Sequence, residues 1–415
     1  MDRTSMSTAR EPRPAGRPTY AEVNLAAFDR NVASIAASLP RDVKLIAVLK
    51  ANAYGHGAVA LARRLTREQV AMIAVALLEE AIELRDAGIT LPILVLGPVT
   101  VAQVGIALDR DITLGVPGPE ELELVAKAAR DRDVSIHLKL DSGMGRMGSV
   151  ETELPRVIEL LRDTPRLKVE AIYTHLANAG DPDDPFTVEQ IARFDRLVAT
   201  LREAGVEAPR HHVANSAATV RGITPGDFAR VGLALYGAEP LDPCHPERRA
   251  GDLGGSGGAY PHPRATHPPG PSLDARDDRG VVLEPVLRWR TEIVRLKELP
   301  PGHAIGYGTT FHTTRASRIA TLPVGYADGY NRRFSNRGEV LVRGRRAPVV
   351  GRVSMDLVTI DVTDIEDAAL GDEVVLLGEG MPVEELAEKL DTISYEVFCA
   401  LSARVPRVYR DADNE

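Results

Sequence analysis

The sequence predicts an α/β protein in which an N-terminal (β/α)8 barrel is followed by a mainly β C-terminal domain. The chain has 415 residues, 44% of them hydrophobic, which is enough for two domains. Between residues 45 and 237, short apolar runs alternate with amphipathic segments, whereas a period-2 pattern dominates from residue 281 onward. The first pattern indicates parallel strands covered by helices, and the second indicates a separate β-rich domain.

The barrel is predicted from eight apolar runs that read as buried strands. Amphipathic segments such as PEELELVAKAAR and VEQIARFDRLVATLREAG lie between them. Eight such units in about 200 residues favour a closed barrel over an open sheet. In chain order the runs are LIAVLK, MIAVALL, PILVLG, ITLGV, VSIHLKL, VEAIYTH, RHHVANS and FARVGLALYG.

Composition also sets the domain boundaries. Residues 1–18 are polar and rich in Pro and Arg, which predicts a disordered N-terminal tail without a signal peptide. We assign residues 19–240 to the barrel and 282–411 to the β-rich domain, where LRWRTEIVRLKEL, GEVLVRG and LVTIDVT carry the period-2 pattern. Residues 241–281 are dominated by Gly, Pro, Asp and Arg and are predicted to form a disordered insert.

Several classes of partner are disfavoured by charge and composition. The net charge of -9 argues against nucleic acid, and no stretch approaches the ~18 apolar residues of a membrane span. Two cysteines favour a reducing cytoplasm over a disulfide framework. The insert's histidines, His245, His262 and His267, lie in Pro-rich chain without a thiolate or acidic ligand held nearby, so no metal site is predicted.

Lys50 is the first candidate catalytic residue, since it ends the first apolar run in AVLKANAYGHGA. Active sites of (β/α)8 barrels lie at the C-terminal ends of the strands, and a desolvated lysine there has a lowered pKa and forms imines. The alternative is a lysine whose stem packs on the barrel rim while its ammonium reaches water. The residues alone leave both interpretations open.

Further polar groups follow later strands and are expected at the same mouth of the barrel. Glycine at position 232 would let the backbone approach a ligand closely, and barrels often bind phosphate after their last two strands. Ser216, Arg230, Gly232 and the amide of Leu233 are therefore a candidate phosphate cradle. The other strand-end groups are Lys139, Asp141, Arg146, His175 and Asn215.

A series of motifs extends over roughly residues 19–240 and 282–410. The motifs are AVLKANAYGHG, LKLDSGMGRMG, YTHLANA, HHVANSAA, FARVGLALYG, AIGYGTTF, LPVGYADGYNRR, GRVSMDLVTIDV and SYEVFCALSARVPR. In sequence and in order they resemble the alanine racemase family, which depends on pyridoxal 5'-phosphate and has fold type III. The resemblance implies a homodimeric enzyme that interconverts L-alanine and D-alanine and supplies D-alanine for peptidoglycan.

The resemblance implies two acid/base residues. Lys50 would be the Schiff-base lysine and would serve the D face of the substrate, and Tyr307, in AIGYGTTF, would serve the L face. A phenol is a poor base at neutral pH unless a cation stabilises it, and Arg146 is the candidate for that cation. The family's counterpart of Tyr307 comes from the other subunit, which implies shared active sites.

The resemblance also implies the cofactor contacts. Arg230 would face the pyridine nitrogen, and His175 would continue the hydrogen-bond chain. Because a guanidinium hardly ever gives up its proton, it leaves that nitrogen unprotonated and weakens the ring as an electron sink, which favours racemisation. The residues expected at the cofactor, most of them at its phosphate, are Tyr54, Asn215, Ser216, Gly232, Leu233 and Tyr395.

Three residues are implied at the substrate side. Arg146 and the backbone N–H of Met355 would bind the substrate carboxylate. In many family members the lysine that matches Lys139 carries a carbamate, which would orient Arg146. The alternative is an unmodified Lys139 paired with Asp141, because carbamylation requires a neutral amine and hence a depressed pKa.

Other functions remain open at the level of sequence. A racemase of serine, lysine or a broader set of amino acids would carry the same motifs. A basic amino-acid decarboxylase does not explain the GYG and GYADG tyrosine motifs. A non-catalytic barrel that binds pyridoxal phosphate would need no second domain.

Overall fold

The computed structural model describes residues 16–129, 132–240 and 281–411. These residues belong to two compact units, which we call the barrel unit (Leu25–Val286) and the β unit (the chain up to Asn24 together with Leu287–Asp411). The tail predicted at residues 1–18 and the insert predicted at 241–281 lie almost entirely outside the described residues. The predictions made for them stay predictions.

The barrel unit contains eight parallel strands that close on themselves, so the predicted fold class is confirmed. Each strand coincides with one of the apolar runs. The closing pair is β2 and β9, in which Ile46 lies opposite Arg230. The strands are β2 (Lys44–Val48), β3 (Val70–Val75), β4 (Ile93–Val95), β5 (Ile112–Val116), β6 (Val134–Lys139), β7 (Leu167–Tyr173), β8 (Arg210–His212) and β9 (Phe228–Val231).

Amphipathic helices connect the strands and bury one face each. In the helix Pro119–Ala129, for example, Leu122, Val125 and Ala129 are buried at the spacing of one helix face, and the intervening Glu123 is more exposed. The helices are α1 (Leu25–Ser38), α2 (Lys50–Tyr54), α3 (Ala58–Ala62), α4 (Leu78–Asp86), α5 (Val101–Asp109), α6 (Pro119–Ala129), α7 (Leu154–Asp163), α8 (Phe186–Glu203) and α9 (Ser216–Val220).

The β unit holds a six-stranded sheet of order β16-β15-β18-β10-β1-β19, a three-stranded sheet β11-β14-β17 and the pair β12-β13. Two helices, Val383–Leu390 and Ser394–Cys399, accompany them. The strands are β1 (Tyr20–Asn24), β10 (Leu287–Glu292), β11 (Arg295–Leu299), β12 (Ala304–Ile305), β13 (Phe311–His312), β14 (Ser317–Leu322), β15 (Glu339–Val342), β16 (Arg345–Pro348), β17 (Val358–Asp361), β18 (Glu373–Leu377) and β19 (Arg407–Arg410).

The first strand of the chain belongs to the β unit, which differs from the sequence assignment of residues 19–240 to the barrel. β1 pairs antiparallel with β10, with Ala21 opposite Trp289, and parallel with β19, with Ala21 opposite Arg407. A strand's hydropathy pattern shows that one face is buried but not which distant strand it pairs with. The structural boundary therefore lies after β1 and not before it.

Candidate active site

Four positively charged side chains interact electrostatically at the C-terminal ends of the barrel strands. Lys139 is the last residue of β6 and Arg230 lies in β9. Lys50 lies two residues after the end of β2, and Arg146 lies in the loop after β6. Burial, followed by the charges of Arg146, Arg230 and Lys50, lowers the pKa of Lys139 to about 8, against an opposing effect of Asp141. This part of the barrel is therefore strongly electropositive.

Arg230 is buried, with 4% of its surface exposed, and its hydrogen-bond acceptors are neutral. Its Nη1 donates to the carbonyl oxygen (2.8 Å) and Nδ1 (2.9 Å) of His212. Its Nη2 donates to the carbonyl oxygens of Thr174 (2.6 Å) and Val213 (3.2 Å) and lies 3.3 Å from Nδ1 of His175. No carboxylate pairs with Arg230 within the described part of the chain. The guanidinium is thus oriented but not neutralised.

The proton positions behind Arg230 follow from donor and acceptor chemistry. A guanidinium only donates, so Nδ1 of His212 must accept and the proton of the neutral ring must lie on Nε2. His212 Nε2 is 2.9 Å from Nδ1 of His137, which is therefore the acceptor. Burial, with the charge of Arg230, lowers the pKa of His137 to about 3 and that of His212 well below its usual value. Both rings are neutral and polarised in one direction.

Tyr173, the last residue of β7, lies against this chain. Its ring stacks on that of His212 with centroids 4.6 Å apart, and its centroid is 5.7 Å from Lys139 Nζ and 5.4 Å from Arg230 Cζ. A Cβ at Gly115 would lie 2.5 Å from the tyrosine hydroxyl, so glycine makes room for that ring. A cation near the face of an aromatic ring is stabilised by the ring's quadrupole.

Three residues of this cluster, His137, Tyr173 and His212, were not among the candidates predicted from sequence. A signal for one of them is present, because His137 precedes Lys139 by two residues and alternate residues of a strand share a face. The strand VSIHLKL otherwise reads as a uniformly buried run with a polar end, which conceals the histidine.

Lys50 is followed by a backbone segment in an unfavourable conformation. Ala51, Asn52, Ala53 and Tyr54 all have φ of 52–53°, in the left-handed helical region. For residues other than glycine this conformation costs about 1–2 kcal/mol each. We call this segment, residues 51–54, the left-handed turn. The neighbouring structure must hold it in place. One such contact is the hydrogen bond from the Ala51 N–H to the carboxylate of Glu80.

A candidate phosphate cradle lies after β8 and β9. Asn215 caps α9 by accepting the N–H of its third residue at 3.0 Å, and Ser216 Oγ accepts the N–H of Gly232 at 2.9 Å. A Cβ at Gly232 would lie 2.5 Å from the Tyr54 hydroxyl. Glycine at 232 thus lets the Tyr54 hydroxyl pack against the backbone, where it lies with the Ser216 hydroxyl near the start of the 3-10 helix at Leu233.

Asp141 does not form the ion pair with Lys139 that the sequence left as an alternative. Its carboxylate accepts the backbone N–H groups of Gly143 (2.8 Å) and Arg146 (3.2 Å) and so shapes its own loop. No carboxylate lies within salt-bridge distance of Lys139 among the described residues. The lysine is buried without a counter-ion.

The remaining three predicted site residues lie in the β unit. Tyr307 begins the 3-10 helix Tyr307–Thr309 and is 71% exposed, and Met355 is 53% exposed. Tyr395 lies in the helix Ser394–Cys399, where burial raises the pKa of its hydroxyl.

Two family models match the chain. The model of the alanine racemase N-terminal domain covers residues 23–240, and that of the alanine racemase C-terminal domain covers residues 286–409. The chain belongs to the alanine racemase family. Among curated relatives, the alanine racemase of Halothermothrix orenii is 41% identical over 95% of this chain and 97% of its own length. That of Sorangium cellulosum is 40% identical over 95% and 100%.

Solved alanine racemases have the same fold. The Bacillus anthracis enzyme with bound L-Ala-P has a TM-score of 0.82 at 36% identity, covering 96% of this chain and 97% of that one. The Bartonella henselae enzyme with covalently bound pyridoxal phosphate has a TM-score of 0.80 at 26% identity, covering 95% and 100%.

The described ranges contain neither a metal cluster nor a membrane span. Within them, no group of three or more His, Cys, Asp and Glu side chains is arranged to hold a metal ion. No helix in those same ranges is long and apolar enough to cross a membrane.

Proposed function

We propose that this protein is an alanine racemase that uses pyridoxal 5'-phosphate to interconvert L-alanine and D-alanine in the cytoplasm, supplying D-alanine for peptidoglycan. Family membership across both domains supports this proposal. The observation that carries it is the buried Arg230, held by neutral acceptors at the mouth of an electropositive barrel beside Lys50. The small number of cysteines supports a reducing compartment.

The residues present fit the cofactor. A phosphate group suits the strand ends where the hydroxyl groups of Tyr54 and Ser216 lie beside the backbone of Gly232, because both hydroxyls would serve as donors to it. Asn215, Leu233 and Tyr395 complete the proposed binding set. The four cations that surround this region give an anionic ligand a favourable field. When bound, pyridoxal phosphate withdraws electrons from Cα of the amino acid and so acidifies its Cα–H bond.

Arg230 would donate a hydrogen bond to the pyridine nitrogen. The chain through His212 and His137 fixes its direction, and His175 contributes a second ring nitrogen. Because the guanidinium keeps its proton, it moderates the electron withdrawal. Moderate electron withdrawal would favour return of a proton to Cα, which is what racemisation requires.

Racemisation needs one proton removed from Cα and another delivered to the opposite face. We assign Lys50 to the D face and Tyr307 to the L face. Arg146 and the backbone N–H of Met355 would hold the substrate carboxylate, and a carbamate on Lys139 would orient Arg146. The lowered pKa of Lys139 supports such a carbamate, since only the neutral amine reacts with carbon dioxide.

The proposed assembly is a homodimer with shared active sites. Tyr307 is 71% exposed within one chain, which suits a residue that acts in the site of a second copy. Met355 is 53% exposed and would lie at the same proposed dimer interface. A closed two-fold dimer would complete two identical sites.

The test is to incubate the purified protein with L-alanine in deuterium oxide and to measure inverted product that carries deuterium at Cα. Lys50→Ala should lose activity and the visible absorption band of the bound cofactor together, whereas Lys44→Ala, at the exposed start of the same strand, should keep both. Serine and lysine, run in parallel, distinguish racemases of other specificity. Activity without Lys50 would refute the assignment.

A further inference from the structure

Glu80 is a residue to which the proposed mechanism gives no role, and it contacts the segment that follows Lys50. It lies at the third position of α4 and divides its two carboxylate oxygens between two tasks. Oε2 accepts the N–H groups of Ala76 (2.9 Å) and Leu77 (3.0 Å) at the start of its own helix. Oε1 accepts the N–H of Ala51, 29 residues earlier in the chain.

The first task is ordinary capping. A Glu or Gln at the third helical position commonly accepts the N–H of the N-cap residue. The neighbouring helix α5 has the same arrangement, in which Gln103 Oε1 accepts the N–H of Thr100 at 2.9 Å. Gln103 therefore provides a matched example of a cap that does not reach the left-handed turn.

The second task acts on Lys50. The N–H of Ala51 belongs to the peptide group that joins it to Lys50, so its direction is coupled to the direction of the lysine backbone. That peptide is the junction between strand geometry and the left-handed turn, where φ changes to 53° at Ala51. Without an acceptor the alanine would favour the right-handed region. A change at this peptide would redirect the lysine side chain.

The end of the left-handed turn is tied to the chain on its C-terminal side. The N–H of Gly57 donates to the carbonyl of Asn52 at 2.9 Å, and the Asn52 side chain accepts the N–H of Ala58 at 2.8 Å. These bonds hold the end of the turn. The Glu80 carboxylate is a side-chain group that holds its beginning.

We propose that Glu80 is a positioning residue for catalysis, which holds the Ala51 peptide so that the Lys50 amine stays directed at the D face of the substrate. This inference rests on the proposed role of Lys50. When Lys50 transfers a proton its amine is not covalently held, so the direction of its side chain depends on the conformation of its backbone. A misplacement of about 1 Å can reduce a rate by as much as 10²-fold.

Glu80→Gln separates the two tasks, because Gln retains one capping oxygen while its amide NH2 has no acceptor to offer the second amide group. Glu80→Ala removes both. Gln103→Ala, which removes a cap and a hydrogen bond to Glu79 but no contact with the left-handed turn, is the control. Hydrogen–deuterium exchange of the full chain, with and without pyridoxal phosphate, should show loss of protection at Ala51 in Glu80→Ala but not in the control.

The kinetic readout is exchange of the Cα hydrogen in deuterium oxide. In both Glu80 variants, exchange from D-alanine should fall on the order of 10- to 100-fold more than exchange from L-alanine, whereas Gln103→Ala should leave the ratio unchanged. An unchanged ratio in Glu80→Ala, or an equal loss for both enantiomers, would overturn the positioning role. Retained activity in Lys50→Ala would instead refute the proposed function.

Discussion

Lys139 is a buried cation next to other cations, and replacing it tests the electrostatics of the site. Lowering a pKa from 10.5 to about 8 corresponds to an unfavourable free energy of about 3 kcal/mol for the protonated form in the folded protein. Met has a similar length and no charge. We therefore expect Lys139→Met to stabilise the cofactor-free protein at pH 7 in buffer free of carbon dioxide, raising the melting temperature by several degrees.

The sign of the pH dependence follows from proton counts. Between pH 8 and 10.5 the unfolded chain holds the Lys139 proton and the folded chain does not, so the stability of the native protein rises with pH in that window. The advantage of Lys139→Met is full below pH 8 and disappears as the pH approaches 10.5. Thermal melting at a series of pH values measures this difference.

Bicarbonate supplies the second arm of the experiment. The ammonium of Lys139 first loses one proton; the neutral amine and carbon dioxide then form an N–C bond with release of a second proton, so a cation becomes an anion. At pH 7.5 roughly a quarter of Lys139 is neutral, against about 0.1% at the ordinary pKa. Bicarbonate should therefore raise the melting temperature of the native protein and leave that of Lys139→Met unchanged.

The control is Lys168→Met, which removes an exposed lysine from the adjacent strand β7. It should change neither the melting temperature nor the response to bicarbonate. A Lys139→Met protein that is less stable than the native one at pH 7, without any effect of bicarbonate on either, would refute the interpretation that Lys139 is an uncompensated buried charge.

Three further predictions concern other contacts. Tyr307→Phe should retain the bound cofactor, slow racemisation by about 10²- to 10⁴-fold, and stop Cα hydrogen exchange from L-alanine but not from D-alanine; similar exchange from both would contradict the assignment. His212→Leu removes the ring acceptor of the buried Arg230 guanidinium, which costs about 1–3 kcal/mol. The variant should bind the cofactor more weakly and with a shifted absorption spectrum, and His212→Asn should partly restore both. An unaltered spectrum in His212→Leu would count against this role of His212. Asp328→Asn weakens the bidentate ion pair between Arg17 and the fully buried Asp328, and should lower the free energy of unfolding by about 3 kcal/mol in urea titrations. Asp364→Asn, which changes an exposed ion pair, should have little effect. Equal losses in the two variants would argue against the importance of burial.

The sequence was sufficient to predict the barrel and the residues at its strand ends. Parallel strands that are buried on both faces leave continuous apolar runs, and a polar residue that ends such a run must lie at the rim. Lys50 and Lys139 were found in this way. His137 was not, because a single histidine inside the strand VSIHLK leaves the apolar run almost unbroken. His212 was missed although its strand is the polar triplet RHH, because the sequence does not show that its ring meets Arg230.

The left-handed turn and its contact with Glu80 lie beyond what a sequence pattern can predict. Alanine does not favour a positive φ, so Ala51 and Ala53 predict an ordinary helix start. The capping position of Glu80 in α4 is recognisable, but the use of its second oxygen depends on how two βα units pack. The conformation is imposed by tertiary contacts and so carries no signature in residue type.

The charges at the barrel mouth relate stability to ligand binding. The protonated form of Lys139 is disfavoured by its burial and by the charges of Arg146, Arg230 and Lys50, so this charge lowers the stability of the cofactor-free protein. An anionic group that binds there removes part of that cost, and the energy recovered appears as affinity. His137 and His212 add no buried charge to the site, because their lowered pKa values keep them neutral. The positive charge of the site thus lies on Lys50, Lys139, Arg146 and Arg230, whereas the histidines behind Arg230 are neutral acceptors. This arrangement is expected of a barrel that binds a phosphate and a carboxylate and keeps a ring nitrogen unprotonated.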